Sequence, residues 1–321
     1  MAVATALLDV LAAEEGCRLA EPGEFTRRAL ENGRMDLAQV EGLADLIEAE
    51  TEAQRIQALN TMRGGLSSLA ERWRRDLIRA MALLTATIDF ADEEVPVDVS
   101  PEVSALLGTT SDALRRQLDG YGASERIREG FEVAVIGRPN AGKSTLINKL
   151  AGREAAIVSE YAGTTRDVIE VRMDVGGLPV TFLDTAGLRT TDDVVEAIGV
   201  DRARQRAATA DMRIFLLEPG QMKPDEDVAL EATDIVVMGK ADIHTAGDVS
   251  GETGAGLDKL LERVSVVLGE RVQGASALSR QRHRDVLRLA VSGLASAMNH
   301  VERGADWVDL ASEDLRYTVQ M

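Results

Sequence analysis

Apolar positions recur along this chain with two different periods, and the change of period divides it. In "GRMDLAQVEGLADLI", Leu37, Val40, Leu43, Ala44 and Ile47 fall at helical steps, with Asp36 placed as N-cap and Gln39 three positions on, which predicts a capped helix. Leu66, Leu69, Trp73, Leu77, Met81, Leu84 and Ile88 form a stripe at steps of three and four, the mark of one long bundle helix. Ser100 as cap with Pro101 at the first helical position predicts a further helix ending near Gly120. At Phe131 the texture changes: alternation and β-branched residues predict a strand from Phe131 to Ile136. The short apolar runs "VTFLD", "MRIFLL" and "DIVVMG" follow, separated by helical stretches, which is the pattern of a parallel sheet. Gly176-Gly177 between two strands signals a hairpin, and hence one antiparallel edge strand. After about residue 268 helix returns, with Val286, Leu289, Ala290, Leu294 and Met298 predicted on one face.

The expected fold class is therefore an α/β domain, mostly parallel with one antiparallel edge strand, inserted into an α-helical bundle domain. The expected boundaries are 1–35 for an N-terminal remnant, 36–128 for the first helical part, 129–268 for the α/β domain and 269–321 for the second helical part. A length of 321 residues allows two or three cores, and 3% aromatic residues favour Ala/Leu-packed helices over a β-sandwich. A net charge of −18 argues against broad, charge-driven nucleic-acid binding, so any RNA contact would need a local patch or a partner. Cys17 is the single cysteine, which fits a reducing compartment and is expected to be a small buried hydrophobe. The N-terminus lacks a basic leader and carries Asp9 in its apolar run, so a cytoplasmic amphipathic helix is expected rather than a signal peptide or membrane span.

Candidate chemistry gathers in the middle of the chain. "GRPNAGKS", Gly137 to Ser144, follows a predicted strand and opens a helix, the context a phosphate-binding P-loop requires. Backbone amides from Asn140, Ala141, Gly142 and Thr145 would face the phosphates, Lys143 would reach the β and γ oxygens, and the Ser144 hydroxyl would bind Mg²⁺. Asp184 ends a strand in "TFLDTAG" and fits the role of holding Mg²⁺ through water, with Thr185, Ala186 and Gly187 turning beside the γ-phosphate. In the intervening loop Thr165, or its neighbour Thr164, is the candidate to complete the Mg²⁺ shell. "GKAD" stands where GTPases carry Asn-Lys-x-Asp: Asp242 can accept from guanine and the Lys240 stem can cover the base, while Gly239 lacks the amide. "SGE", from Ser250, stands in for a last guanine loop. Leu188 occupies the position where Ras-type GTPases place a water-orienting Gln. "RWRRDLIR" and "SRQRHRDVLR" read as solvated helix faces or, with Arg280, Arg282, His283 and Arg284, as a tRNA or partner surface, and "IDFADEEVP" as an acidic helix-end turn rather than a metal cluster.

Together "IDFADEEVP", "PGEFTRRA", "MDLAQVEGLADLI", "GRPNAGKSTLINKLAGREAAIVSEYAGTTRDV", "DTAGLRTTDDVVEAIG" and "KAD" make the chain resemble the MnmE (TrmE) family of tRNA modification GTPases over nearly its whole length. The resemblance implies a G domain inserted in a helical bundle and GTP hydrolysis to GDP activated by K⁺-dependent dimerisation of G domains. It also implies homodimer contacts through the N-terminal region, and a partner flavoprotein, MnmG. Together the two partners would add a carboxymethylaminomethyl-type group to the wobble uridine of certain tRNAs, using a folate-derived one-carbon unit of the 5-formyl-tetrahydrofolate type. Carried onto this sequence, it gives K⁺ to Asn140, Ser159, Tyr161 and Thr164 within a nucleotide-wrapping loop that also contains Glu160, Ala162, Gly163 and Thr165. Glu196 takes the catalytic, water-positioning role, and Leu188 becomes a hydrophobic residue turned away from the phosphates. Arg34 matches a folate-contacting position, although residues 1–35 correspond only to the last part of the family's folate-binding domain and the family's C-terminal Cys-Ile-Gly-Lys end is not represented. Two other classes compete: an Era- or Der-like ribosome-assembly GTPase, which would carry a KH-type pattern not found after residue 268, and a nucleotide-gated scaffold without useful hydrolysis.

Overall fold

The computed structural model describes residues 2–89, 98–153, 155–157, 170–184, 209–224 and 229–321. Its helices are α1 (Ala2–Ala12), α2 (Glu24–Glu31), α3 (Leu37–Ile47), α4 (Glu52–Met62), α5 (Gly65–Asp89), α6 (Ser100–Asp119), α7 (Tyr121–Glu129), α8 (Lys143–Ala151), α9 (Leu257–Arg271), α10 (Gln281–Arg303) and α11 (Val308–Gln320). Among the described residues five strands, β1 (Phe131–Ile136), β2 (Glu170–Val175), β3 (Leu178–Asp184), β4 (Met212–Leu217) and β5 (Ile235–Met238), form one sheet in the order β2-β3-β1-β4-β5. The β2–β3 pair is antiparallel and the remaining pairs are parallel. Gly176 and Gly177 join that pair with φ of 63° and 85°, the two positive values a tight hairpin turn needs.

Two hydrophobic cores result. The first is the sheet with α8 and α9, centred on Val133, Val135, Phe182, Ile214, Leu146 and Val264. The second joins Trp73, Leu77 and Leu84 of α5 with Val103 and Leu107 of α6, Leu294 of α10 and Leu315 of α11. Its members precede β1 and follow α9, so the α/β unit is inserted into a helical one. α5 packs on α6 and α11, and α10 packs on the same two helices, which closes a four-helix ring.

Several local expectations shift. α6 starts one residue earlier than expected: Ser100 is its first residue and Val99 its N-cap, no side chain caps it, and the Asp98 carboxylate accepts from the Ser100 N–H at 3.0 Å. The Asp36–Gln39 capping box is present, yet Leu37 and Ile47 of that helix are 48% and 77% exposed. What α3 buries is Gly42, where a Cβ would lie 2.5 Å from Met62 N, so α3 meets α4 through close backbone approach rather than an apolar stripe. In α10 the buried row is Leu287, Ala290, Leu294, Ala297 and Val301, while Val286 and Leu289 are exposed, because apolar residues occupy two adjacent faces and spacing alone did not choose between them. Cys17 is exposed, in the segment after α1, rather than buried. Among the described residues no helix is long and apolar enough to cross a membrane.

Candidate nucleotide site

β1 ends at Ile136 and the chain turns at Gly137 into the loop that starts α8. A Cβ on Gly137 would fall 2.4 Å from the Leu216 carbonyl oxygen of β4, so only glycine lets the loop leave the sheet there. Asn140 (φ 67°) and Gly142 (φ 99°) both adopt positive φ around the buried Ala141. Alternation of this kind gathers N–H groups on one side, the concavity that phosphates occupy at a helix N-terminus. Lys143 is 6% exposed, and its Nζ donates to the Gly137 and Arg138 carbonyls at 2.8 and 3.0 Å, which places the ammonium inside the loop. Ser144 stands beside it in the first turn of α8.

Asp184 is the last residue of β3, 4% exposed, and is in register with Val135 of β1. Its carboxylate thus lies at the C-terminal edge of the parallel strands, where α/β sheets bind ligands. A buried carboxylate and a helix-first-turn hydroxyl are hard oxygen donors, the chemistry that suits Mg²⁺.

The far end of the site is built after β5. Lys240 (φ 61°) turns the chain, and Asp248 and Val249 return beside β5, donating to the Met238 carbonyl at 2.7 and 3.0 Å. This return delivers Ser250, fully buried, to Asp242: the Ser250 hydroxyl donates to Asp242 Oδ1 at 2.6 Å and accepts from the Thr253 N–H at 3.2 Å. The Ser250 hydrogen bond, with that of Asp242's own backbone, holds the Asp242 carboxyl below the usual carboxylate range. A cavity of about 250 Å³ separates this end from the loop, bounded by Asn140, Thr145, Lys240, Asp242, Gly251 and Glu252. Lys240 lines it with its stem, while its ammonium pairs with Glu218 at 3.2 Å.

The structure thus brings Asn140, Ala141, Gly142 and Thr145 to one cavity with Lys240 and Asp242, and Ser250 onto Asp242. Ser159, Glu160, Tyr161, Ala162, Gly163, Thr164, Thr165, Thr185, Ala186, Gly187, Leu188 and Glu196 lie outside the described residues, as does the stretch 90–97 of the acidic turn. Arg34 sits exposed in the turn after α2, away from a core. The Arg280–Arg284 group is tied down: Arg280 pairs with Asp45 at 2.7 Å, Arg282 with Glu41 at 2.7 Å, and Arg284 lies over the Tyr121 ring at 4.7 Å. Burial, then the neighbouring Arg282, keeps His283 below the usual imidazole range despite Glu41. A larger cavity of about 520 Å³ lies between α4, α7 and β2, and Arg172 of that wall pairs with Glu50 at 2.6 Å.

Sequence reasoning found Asp242 and Ser250 separately but not the bond between them. Nor did it find Gly137 and Leu216 as the seat of the loop, since that contact depends on parallel register.

The helical-domain profile of MnmE matches residues 37–321. A tRNA modification GTPase MnmE of Cereibacter sphaeroides is 56% identical over 321 residues, 99% of this chain and 74% of that protein. One from Ruegeria pomeroyi is 57% identical over 325 residues, covering all of this chain and 74% of that protein. Among solved structures, Aquifex aeolicus Era bound to GDP and aluminium fluoride matches 43% of this chain and 56% of that one, at 30% identity and a TM-score of 0.32. A family profile spanning most of the chain and relatives above half identity along nearly all of it lead to one conclusion: the chain belongs to the MnmE family of tRNA modification GTPases.

Proposed function

We propose that this chain binds GTP and hydrolyses it to GDP, and that hydrolysis serves tRNA modification. The observation that carries the reading is the cavity in which the P-loop meets an anchored carboxylate, Asp242, because a nucleoside triphosphate bridges a phosphate cradle and a base-reading acceptor. The chain's own groups divide the work. Lys143 holds β and γ oxygens as a point charge, the Asn140–Gly142 amides neutralise developing charge, and Asp242 orients the base. Ser144 and Asp184, the latter through water, would hold Mg²⁺, with Thr165 completing the shell; the ion supplies charge neutralisation between the β- and γ-phosphates.

The finer parts of the reading rest on the family. Glu196 positions the attacking water in place of the Gln that Leu188 replaces. Asn140, Ser159, Tyr161 and Thr164 hold K⁺, and G domains from two copies of the chain meet to activate hydrolysis. The G domain spans 129–268, with 36–128 and 269–321 as the helical parts, and the partners are tRNA, whose wobble uridine is modified, and the flavoprotein MnmG. Arg34 would supply a charge for a folate carboxylate, but, exposed in the turn after α2, it forms no wall that would enclose a pterin.

Competition against a fluorescent GDP tests the reading. GTP and GDP should displace it, ATP should do so at least about tenfold more weakly, and Asp242→Ala should erase that difference. Equal competition by GTP and ATP in the unaltered protein would overturn it.

A further inference from the structure

We infer that the β2–β3 hairpin is a stiff link through which the nucleotide site and the helical part bias each other, and that Glu50 and Arg172 clamp its far end to α4. The inference rests on the GTP reading above and adds a route by which nucleotide acts outside the α/β unit.

One end of the hairpin belongs to the site. β3 ends on Asp184, and β2 begins directly after the stretch 158–169, which carries the residues from Ser159 to Thr165 proposed above as nucleotide and ion ligands. β2 is also tied to the chain entering that stretch: the Ile157 N–H donates to the Arg172 carbonyl at 2.7 Å, and the Asp174 N–H to the Ala155 carbonyl at 3.1 Å. The two strands pair from Glu170 and Leu183 to Val175 and Leu178, which makes them one ribbon, about 20 Å long over the seven residues of β3.

The other end meets the helical part. Thr51 is the N-cap of α4, so the Ala53 N–H is among the donors that a helix cannot satisfy internally. It donates instead to the Gly177 carbonyl of the hairpin turn, at 3.1 Å. The turn is fixed from within by the Gly177 N–H, which donates to Asp174 Oδ1 at 2.7 Å, and from behind by α9, where a Cβ on Gly176 would fall 2.0 Å from Ser265 Oγ. In the same strand the Arg172 guanidinium pairs with Glu50 at 2.6 Å, and the Glu50 N–H donates to Gln54 of α4 at 3.0 Å. Arg172 thus joins the two ends, with its carbonyl on the 155–157 segment and its guanidinium on Glu50. By linkage, a nucleotide that fixes the site end of the ribbon favours the clamped turn, and the clamp favours nucleotide by the same factor.

Because the Ala53 N–H is held by the hairpin and not by its own helix, its hydrogen exchange reports the clamp directly. The test uses the full chain, nucleotide-free and saturated with GDP, with occupancy checked by fluorescent GDP. Saturation should slow Ala53 exchange by about fivefold or more in the unaltered protein. Glu50→Gln and Arg172→Gln each remove one charge of the clamp, and in each the bound and free rates should fall within about twofold of one another while GDP still binds. A pair that only props up the fold would speed exchange equally in both states and leave the ratio intact. A ratio near one in the unaltered protein, or a ratio that survives Glu50→Gln, would overturn the inference. Should no guanine nucleotide bind, the GTP reading itself fails, an outcome distinct from either.

Discussion

Replacing Gly137 by alanine tests whether the seat of the P-loop against β4 sets its function. The new Cβ would fall 2.4 Å from the Leu216 carbonyl oxygen, about 1 Å short of the 3.4 Å at which ordinary contact begins. That oxygen belongs to a strand paired on both sides, with β1 and β5, so it cannot rotate away as a side-chain tip would. Forcing an extra carbon into a filled site costs about 1–3 kcal/mol. For a folding unit of this size, each kcal/mol lowers the thermal midpoint by roughly 2–4 °C, so a fall of about 2–12 °C is expected. The loop yields more readily than the sheet, and its displacement carries the Gly137 and Arg138 carbonyls that hold Lys143. Misplacing a binding group by about 1 Å costs up to about a hundredfold in function. Differential scanning calorimetry and a fluorescent-GDP titration on Gly137→Ala should therefore show a lower midpoint and at least about tenfold weaker binding, with secondary structure retained. A midpoint within about 1 °C and affinity within about twofold of the parent would refute the reasoning.

Other outcomes follow from the surrounding frame. Gln54, 7% exposed, accepts from the Thr51 N–H and donates to the Arg128 carbonyl at 3.0 Å, so Gln54→Ala should cost about 1–3 kcal/mol in urea unfolding, and no change in midpoint would count against the contact. Asp234, whose side chain is 2% exposed, pairs with Arg213 through two bonds of 2.9 and 2.6 Å; Asp234→Ala removes both and leaves the guanidinium with Glu231 at 3.2 Å and the Ala229 carbonyl at 3.1 Å, so it should destabilise by about 1–3 kcal/mol, measured the same way. Tyr121 is pushed up to about 12, first by burial and then by its hydrogen bond to Glu125. Because the folded value lies above the unfolded value of about 10, its contribution to stability is complete below that pH and drains away as pH rises toward 12. Tyrosinate absorbance should show this late titration in the folded protein, and an alkaline stability curve unchanged in Tyr121→Phe would contradict it.

Much of the fold is legible in the sequence because the relevant signals are local. The strand limits at Phe131 and Ile136, the Gly176-Gly177 hairpin and the Asp36–Gln39 box each depend on a few adjacent residues whose backbone preferences agree. Where the outcome depended on partners distant in sequence, spacing misled. Leu37 and Ile47 repeat like core residues but face outward, since α3 reaches α4 through Gly42, and nothing in a periodic pattern marks a glycine as the contact. The arginines at 280 and 282 read as a solvated face or as a tRNA or partner surface; their pairing with Glu41 and Asp45, over 230 residues earlier, is something no local pattern marks. Cys17 was expected inside on residue type alone, and the segment holding it is exposed. In the candidate site, Lys143 and Asp184 were found by motif. The Ser250–Asp242 bond was not, because it arises only when residues 248 and 249 fold back along β5.

GTP turnover in K⁺ and in Na⁺, for the parent, Glu196→Ala and Asn140→Lys, tests the central claim most directly. The account predicts faster turnover in K⁺ for the parent, loss of turnover with retained GDP binding in Glu196→Ala, and indifference to the cation in Asn140→Lys. Turnover in the parent that ignores the cation and survives removal of the Glu196 carboxylate would contradict it.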